Sequence, residues 1–256
     1  MIEQLVPPSV RTRVAYGDEL DRAPLHPEEA PAIAKAVPKR QAEYAAGRAC
    51  ARAALADLCG ATGPILRDAE RGAPVWPDGV VGSITHCDGY RAAAVAHTAD
   101  VLTLGIDAEP HGPLPEGVLD VIVSTEEERA ALAALSGRAP HVHWDRLLFS
   151  AKETVYKAWY PYHRRMLGFT EAELLFTHDD PGGDPGDPVA EPGPAAPGTA
   201  QRGTYTARLL IPGPLLAEGT GPDVFTGRWI AHDGLVVTAI AVPRDSRPPQ
   251  DREPAR

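Results

Sequence analysis

Apolar residues return at helical spacing through Leu147, Leu148, Ala151, Val155, Ala158 and Trp159. At about 100° per residue they form one stripe on a helix predicted over 143–160, from which Glu153 and Lys157, four apart, project together on the opposite side. The helix is expected to stop before Pro161, because the residue ahead of a proline is driven out of the helical region. A second helix is predicted from Pro38 to Gly60, with proline in its first turn and glycine after its last apolar residues. Arg40 and Arg48 lean to one side of it. A third begins at Ser124 or Thr125, with Glu126, Glu127 and Glu128 in the first turn as the helix dipole prefers, and breaks at 137–140.

Between the helices the pattern changes to runs with strand character. Short strands are predicted at 12–16, 80–86, 90–96 and 101–107, the middle pair joined by the turn dipeptide Asp88-Gly89, and the last three are expected to form a meander. Further strands follow at 174–177, 204–211, 224–231 and 234–242. Helices followed by strands thus occur on both sides of a proline- and glycine-rich linker at 110–115. The expectation is an α+β fold in two halves, each an antiparallel sheet packed with helices, over 1–109 and 110–242. Within 179–200, 11 of 22 residues are proline or glycine, which predicts a mobile loop, and 243–256 reads as a disordered tail.

Composition narrows the class. A chain of 256 residues can bury a sizeable core without disulfides or metals. The start lacks a basic and then apolar leader and no run of 18 apolar residues occurs, so the reading is cytoplasmic, with no membrane partner. Cys50, Cys59 and Cys87 are odd in number and lack metal-ligand spacing, as reduced thiols in a cytosolic protein would. A net charge of −10 argues against a nucleic-acid partner. Asp179, Asp180, Asp184, Asp187 and Glu191 carry part of that charge within the predicted loop. Only four lysines stand against 21 arginines, and two of the four, Lys152 and Lys157, lie on the 143–160 helix.

That distribution turns an ordinary i,i+4 ion pair into a candidate site, since the compact charge of lysine suits phosphate oxygens and proton donation. Three carboxylates, Asp107, Glu109 and Glu153, match what a hard cation such as Mg²⁺ takes while leaving room for substrate phosphate. Lys152, Lys157, His86 and Arg40 supply the positive side of a polyphosphate site. Together they read as metal-assisted phosphoryl transfer.

Gly82-Ser83-Ile84-Thr85-His86-Cys87, Gly105-Ile106-Asp107-Ala108-Glu109 and Phe149-Ser150-Ala151-Lys152-Glu153-Thr154-Val155-Tyr156-Lys157 resemble, in this order, the 4′-phosphopantetheinyl transferases of the Sfp type. Lys39-Arg40-Gln41-Ala42-Glu43, Gly47-Arg48, Trp76-Pro77-Asp78-Gly79, Trp144-Asp145-Arg146 and Gly168-Phe169 extend the likeness, most closely to the actinobacterial branch. The resemblance implies two pseudo-symmetric halves with coenzyme A in the cleft between them. It also implies a monomer that transfers the phosphopantetheine arm to a serine of apo acyl, peptidyl or aryl carrier proteins of fatty acid, polyketide and nonribosomal-peptide synthesis, releasing adenosine 3′,5′-bisphosphate.

By the same resemblance Asp107 and Glu153 would bind Mg²⁺, or Mn²⁺ in its place, with Glu109 as third ligand or holding a coordinated water. Arg40, Arg48 and His86 would contact the 3′-phosphate, Thr85 would help position it, Lys152 and Lys157 would hold the pyrophosphate, and Arg67 would flank the adenine. Glu153 is the candidate base toward the serine, directly or through a metal-bound water, and Lys157 the group that stabilises the departing bisphosphate. Two other classes share these residues: a coenzyme A binding module without turnover, and a metal-dependent phosphohydrolase acting on water. Val118, Leu119, Val121 and Ile122 read either as an apolar landing patch for a carrier or as a buried face.

Overall fold

The computed structural model describes residues 1–179, 199–211 and 222–244. The predicted loop and tail fall almost wholly outside them. In chain order the elements are β1 (Arg11–Tyr16), α1 (Pro38–Cys59), β2 (Val80–Cys87), β3 (Tyr90–His97), β4 (Val101–Pro110), α2 (Val118–Ile122), α3 (Glu126–Arg138), α4 (Trp144–His163), β5 (Ala172–Phe176), β6 (Gln201–Leu209), β7 (Val224–His232) and β8 (Leu235–Pro243). They make two antiparallel sheets, one of three strands in the order β1-β3-β2 and one of five in the order β4-β8-β7-β6-β5. The α+β class is as expected, though the two halves differ in strand number.

The helix ends follow local chemistry. Pro38 opens α1, and Gly60 closes it at φ 74°, its N–H bonding to the Ala56 carbonyl. Thr125, rather than Ser124, caps α3: its hydroxyl accepts from the Glu128 N–H at 3.0 Å. α4 does not stop at the boundary expected before Pro161 but runs on to His163. A proline so near the C-terminal end removes only one intrahelical bond, and the His163 ring stacks on that of Trp159.

The predicted meander is corrected. β2 and β3 pair as expected, but β4 leaves them and pairs with β8. Both edges of β3 are already occupied, by β1 and β2, so no ladder position remains for a third strand of the run. The change of sheet therefore falls between His97 and Val101, ahead of the 110–115 linker, and Asp107 belongs to the second sheet.

Alternation then sorts the side chains into four layers. Ala93 and Val95 of β3 face Cys50, Ala51, Ala54 and Leu55 of α1. Ala92, Ala94 and Ala96 meet Leu104, Ile106, Ala108, Val237 and Ala239 of the second sheet. On the far side of that sheet Val236 and Ile240 pack on Leu147, Ala151, Val155, Ala158 and Trp159 of α4. The apolar stripe expected on α4 is fully buried, and each large aliphatic residue so placed contributes about 1.5–3 kcal/mol. α4 approaches β4 closely at Gly105, where a Cβ would run into the Thr154 carbonyl. The 118–122 segment mostly faces inward: Ile122 is buried and Val118 and Leu119 pack on the core, leaving Val121 exposed. Among the described residues no helix is long and apolar enough to cross a membrane.

Candidate active site

The open edges of the two sheets meet at β2 and β4, and side chains rather than a backbone ladder join them. The Ser83 hydroxyl accepts from the Ile106 N–H, and the Thr85 hydroxyl accepts from the Ala108 N–H, each at 3.1 Å. Above this seam lies a cleft of about 320 Å³ lined by residues of both halves. Arg40, Arg48, Arg67, Thr85, His86, Asp107, Glu153 and Lys157 all reach it. Of the candidate residues, only Glu109 and Lys152 lie elsewhere.

On the α1 side Arg48 is buried, its Nε donating to the Ile65 carbonyl at 2.8 Å and its guanidinium 4.5 Å above the Tyr44 ring. Burial lowers its pKa, with Tyr44 opposing. Arg40 donates to His86 Nε2, which leaves the ring proton on Nδ1, facing Glu43 Oε2 at 3.5 Å. Burial and then the Arg40 charge hold His86 below the ordinary histidine value, with Glu43 opposing. Arg67 is fixed by a bridge to Pro74 and lies where a Cβ on Gly72, at φ 76°, would strike its guanidinium. Glu43 and Tyr44 line the cleft without having been assigned a role from sequence. Tyr44 was legible, because it stands one helical turn before Arg48.

On the α4 side Asp107 is nearly fully buried and accepts three hydrogen bonds. Lys157 Nζ lies 2.7 Å and Thr85 Oγ1 3.1 Å from its Oδ1, and Ser150 Oγ 2.8 Å from its Oδ2. Among the described residues none donates a hydrogen bond to the Glu153 carboxylate. Burial raises the pKa of Glu153 and the Asp107 charge adds to it, while Lys157 opposes.

Two of the candidate residues lie outside the cleft lining. Lys152 does not line the cleft: its ammonium is buried on the other side of α4, donating to Ser124 Oγ at 2.6 Å, Glu128 Oε2 at 3.1 Å and the Phe169 and Ala172 carbonyls at 2.8 and 2.9 Å. The reason is geometric, since residues five apart on a helix point about 140° away from each other. Glu109 is the second. It pairs with Arg146 at 3.1 Å, and no group of three Asp, Glu, His or Cys side chains is arranged to hold a metal among the described residues. Burial and then Asp107 raise the Glu109 pKa, with Arg146 opposing.

The Asp107 and Glu153 pair still has the donor chemistry of a hard cation. Mg²⁺ is usually held by one or two carboxylates, with water and substrate phosphate completing its shell. Glu153, its pKa raised by burial and further by the Asp107 charge, shares with Asp107 a cleft that Arg40, Arg48 and Arg67 line as well.

A cleft between two sheets that gathers cationic and acidic side chains has the donor types that phosphoryl transfer uses. Family models resolve it further: residues 28–96 match the 4′-phosphopantetheinyl transferase N-terminal domain and residues 103–183 the 4′-phosphopantetheinyl transferase superfamily. The chain is 54% identical over 244 residues to the 4′-phosphopantetheinyl transferase Svp of Streptomyces mobaraensis, covering 94% of this chain and 89% of the relative. It is 46% identical to the transferase Npt of Nocardia iowensis, covering 94% and 99%, and 44% identical to PptT of Mycobacterium tuberculosis, covering 89% of each. The chain belongs to the Sfp-type 4′-phosphopantetheinyl transferases.

Proposed function

We propose that the cleft binds coenzyme A and delivers its 4′-phosphopantetheine group to a serine of an apo carrier protein, releasing adenosine 3′,5′-bisphosphate. The observation that carries this reading is the convergence of Arg40, Arg48, Arg67 and Lys157 on one cleft with Asp107 and Glu153. Four fixed cations suit a ligand with a pyrophosphate and a separate ribose phosphate. Arg40 and Arg48 hold the 3′-phosphate, with His86 beside them, and Arg67 flanks the adenine. Thr85, which lines the cleft and bonds Asp107, helps position that phosphate. Lys157 holds the pyrophosphate.

Asp107 and Glu153 hold Mg²⁺, or Mn²⁺ in its place, which when bound offsets charge on the phosphate oxygens. Glu153, its carboxylate without a donor among the described residues and its pKa raised chiefly by burial, takes the serine proton as the hydroxyl oxygen attacks the β-phosphorus. The bond to the bridging oxygen breaks, and Lys157 stabilises the bisphosphate as it leaves. Glu109, paired with Arg146, stands behind this pair and acts on bound water. The acceptors are acyl, peptidyl or aryl carriers, and the protein works as a monomer in the cytoplasm.

Incubation of the protein with coenzyme A, Mg²⁺ and an apo carrier is expected to add one phosphopantetheine group to the carrier, read by intact mass. No mass gain on fatty acid, polyketide and nonribosomal-peptide carriers alike would overturn the reading. Release of bisphosphate without carrier would point instead to a hydrolase.

A further inference from the structure

Behind Asp107 runs a line of buried hydroxyls that no part of the chemistry above uses. Thr238 stands opposite Asp107 in the β4–β8 register, so both side chains point toward α4. There Ser150 Oγ lies 2.8 Å from Asp107 Oδ2 and 3.0 Å from Thr238 Oγ1, and Thr154 Oγ1 lies 2.6 Å from Thr238 Oγ1. Ser150, Thr154 and Thr238 are all fully buried.

Each hydroxyl has one proton, and a carboxylate can only accept. Ser150 therefore directs its proton to Asp107. The Ser150–Thr238 bond must then have Thr238 as donor, and the Thr154–Thr238 bond must have Thr154 as donor. Every proton in the row points toward Asp107. Of the four lone-pair positions of the carboxylate, Lys157, Thr85 and Ser150 occupy three, which leaves one position, on Oδ2, for a further partner. A buried row with its dipoles aligned also polarises itself, each bond strengthening the next.

From this one-way row we propose that Ser150 and Thr238 are positioning residues that fix the orientation of Asp107 toward a divalent cation. The proposal rests on the reading of Asp107 as a metal-holding residue. Groups of this kind, one step behind a ligand, commonly change metal affinity by about 10- to 100-fold when removed. Thr238 suits a test because valine keeps its branched shape without the hydroxyl and serine keeps the hydroxyl without the methyl.

The test measures Mn²⁺ alone by electron paramagnetic resonance, in the absence of coenzyme A and carrier, for the wild type, Thr238→Val and Thr238→Ser, with melting temperatures recorded beside it. Thr238→Val is expected to bind Mn²⁺ about tenfold more weakly, with a matching rise in the Mg²⁺ concentration that half-saturates transfer and little change in KM for coenzyme A. Thr238→Ser is expected to bind Mn²⁺ as the wild type does. Ser150→Ala, which removes the last link directly, gives a second measure of the same loss should the valine variant melt early. Equal Mn²⁺ affinity in all four proteins, or a serine variant as weak as the valine one, would overturn the proposal. Failure of the wild type to modify any carrier would instead strike the function itself, which the Mn²⁺ measurement does not depend on.

Discussion

Lys152 and Glu153 are neighbours in sequence with separate physical roles. The Lys152 ammonium joins α3, α4 and the start of β5 with the segment ahead of it through Glu128, Ser124 and two carbonyls, so Lys152→Met leaves the Glu128 carboxylate buried beside an apolar side chain. Removing one partner of such a pair destabilises a fold by about 3–5 kcal/mol. Glu153→Gln keeps size and removes the proton acceptor, and its cost falls on turnover, by about 10²- to 10⁴-fold. Denaturant unfolding and carrier-modification rates on the two variants should therefore give opposite profiles, and a destabilised Glu153→Gln or a stable, inactive Lys152→Met would reverse the assignment. The motif made both lysines visible, but only the helical angle between them separates their surroundings. The same angle carries a cue for Ser150, seven residues before Lys157 and so on the same face; both contact Asp107.

At the scale of elements, helices and strands were legible from periodicity, caps and turn residues, and β4 was legible as a strand. Its partner was not. The short turn after His97 suggests a hairpin, yet the competing strand β1 comes from a segment about 80 residues away, and local pattern holds no information on so distant a pairing. The hydroxyls of Ser83 and Thr85 were likewise unreadable as the joint between sheets, because their acceptor role exists only once β4 has moved to the second sheet. Ser83→Ala is expected to leave the Ile106 N–H without a partner in a buried place. That should lower unfolding free energy by about 1–3 kcal/mol, seen as a lower urea midpoint; an unchanged midpoint would mean that this bond does not hold the seam.

Across the whole molecule the net charge of −10 opposes a polyanionic ligand, while the cleft gathers Arg40, Arg48, Arg67 and Lys157. Recognition then depends on short-range attraction exceeding a long-range repulsion, and salt acts on the two differently. Screening over about 10 Å at 0.1 M weakens the exposed part of the cleft's attraction. KM for coenzyme A is therefore expected to rise with added NaCl while kcat at saturation holds. A KM that falls with salt would mean that the overall negative field governs binding. The family and two-sheet class followed from motif order; the cleft's membership followed only in part, since Glu109 and Lys152 have the expected residue types but lie outside its lining.

Asp107 stands on the second sheet but is held from both: Thr85 reaches it from the first sheet and Ser150 from α4 behind the second. Its carboxylate therefore works as a gauge of alignment. A ligand that wedges the sheets apart by the length of a single contact would break only the Thr85 bond, because Lys157 on one oxygen and Ser150 on the other both come from α4, and the charged group would travel with the second sheet.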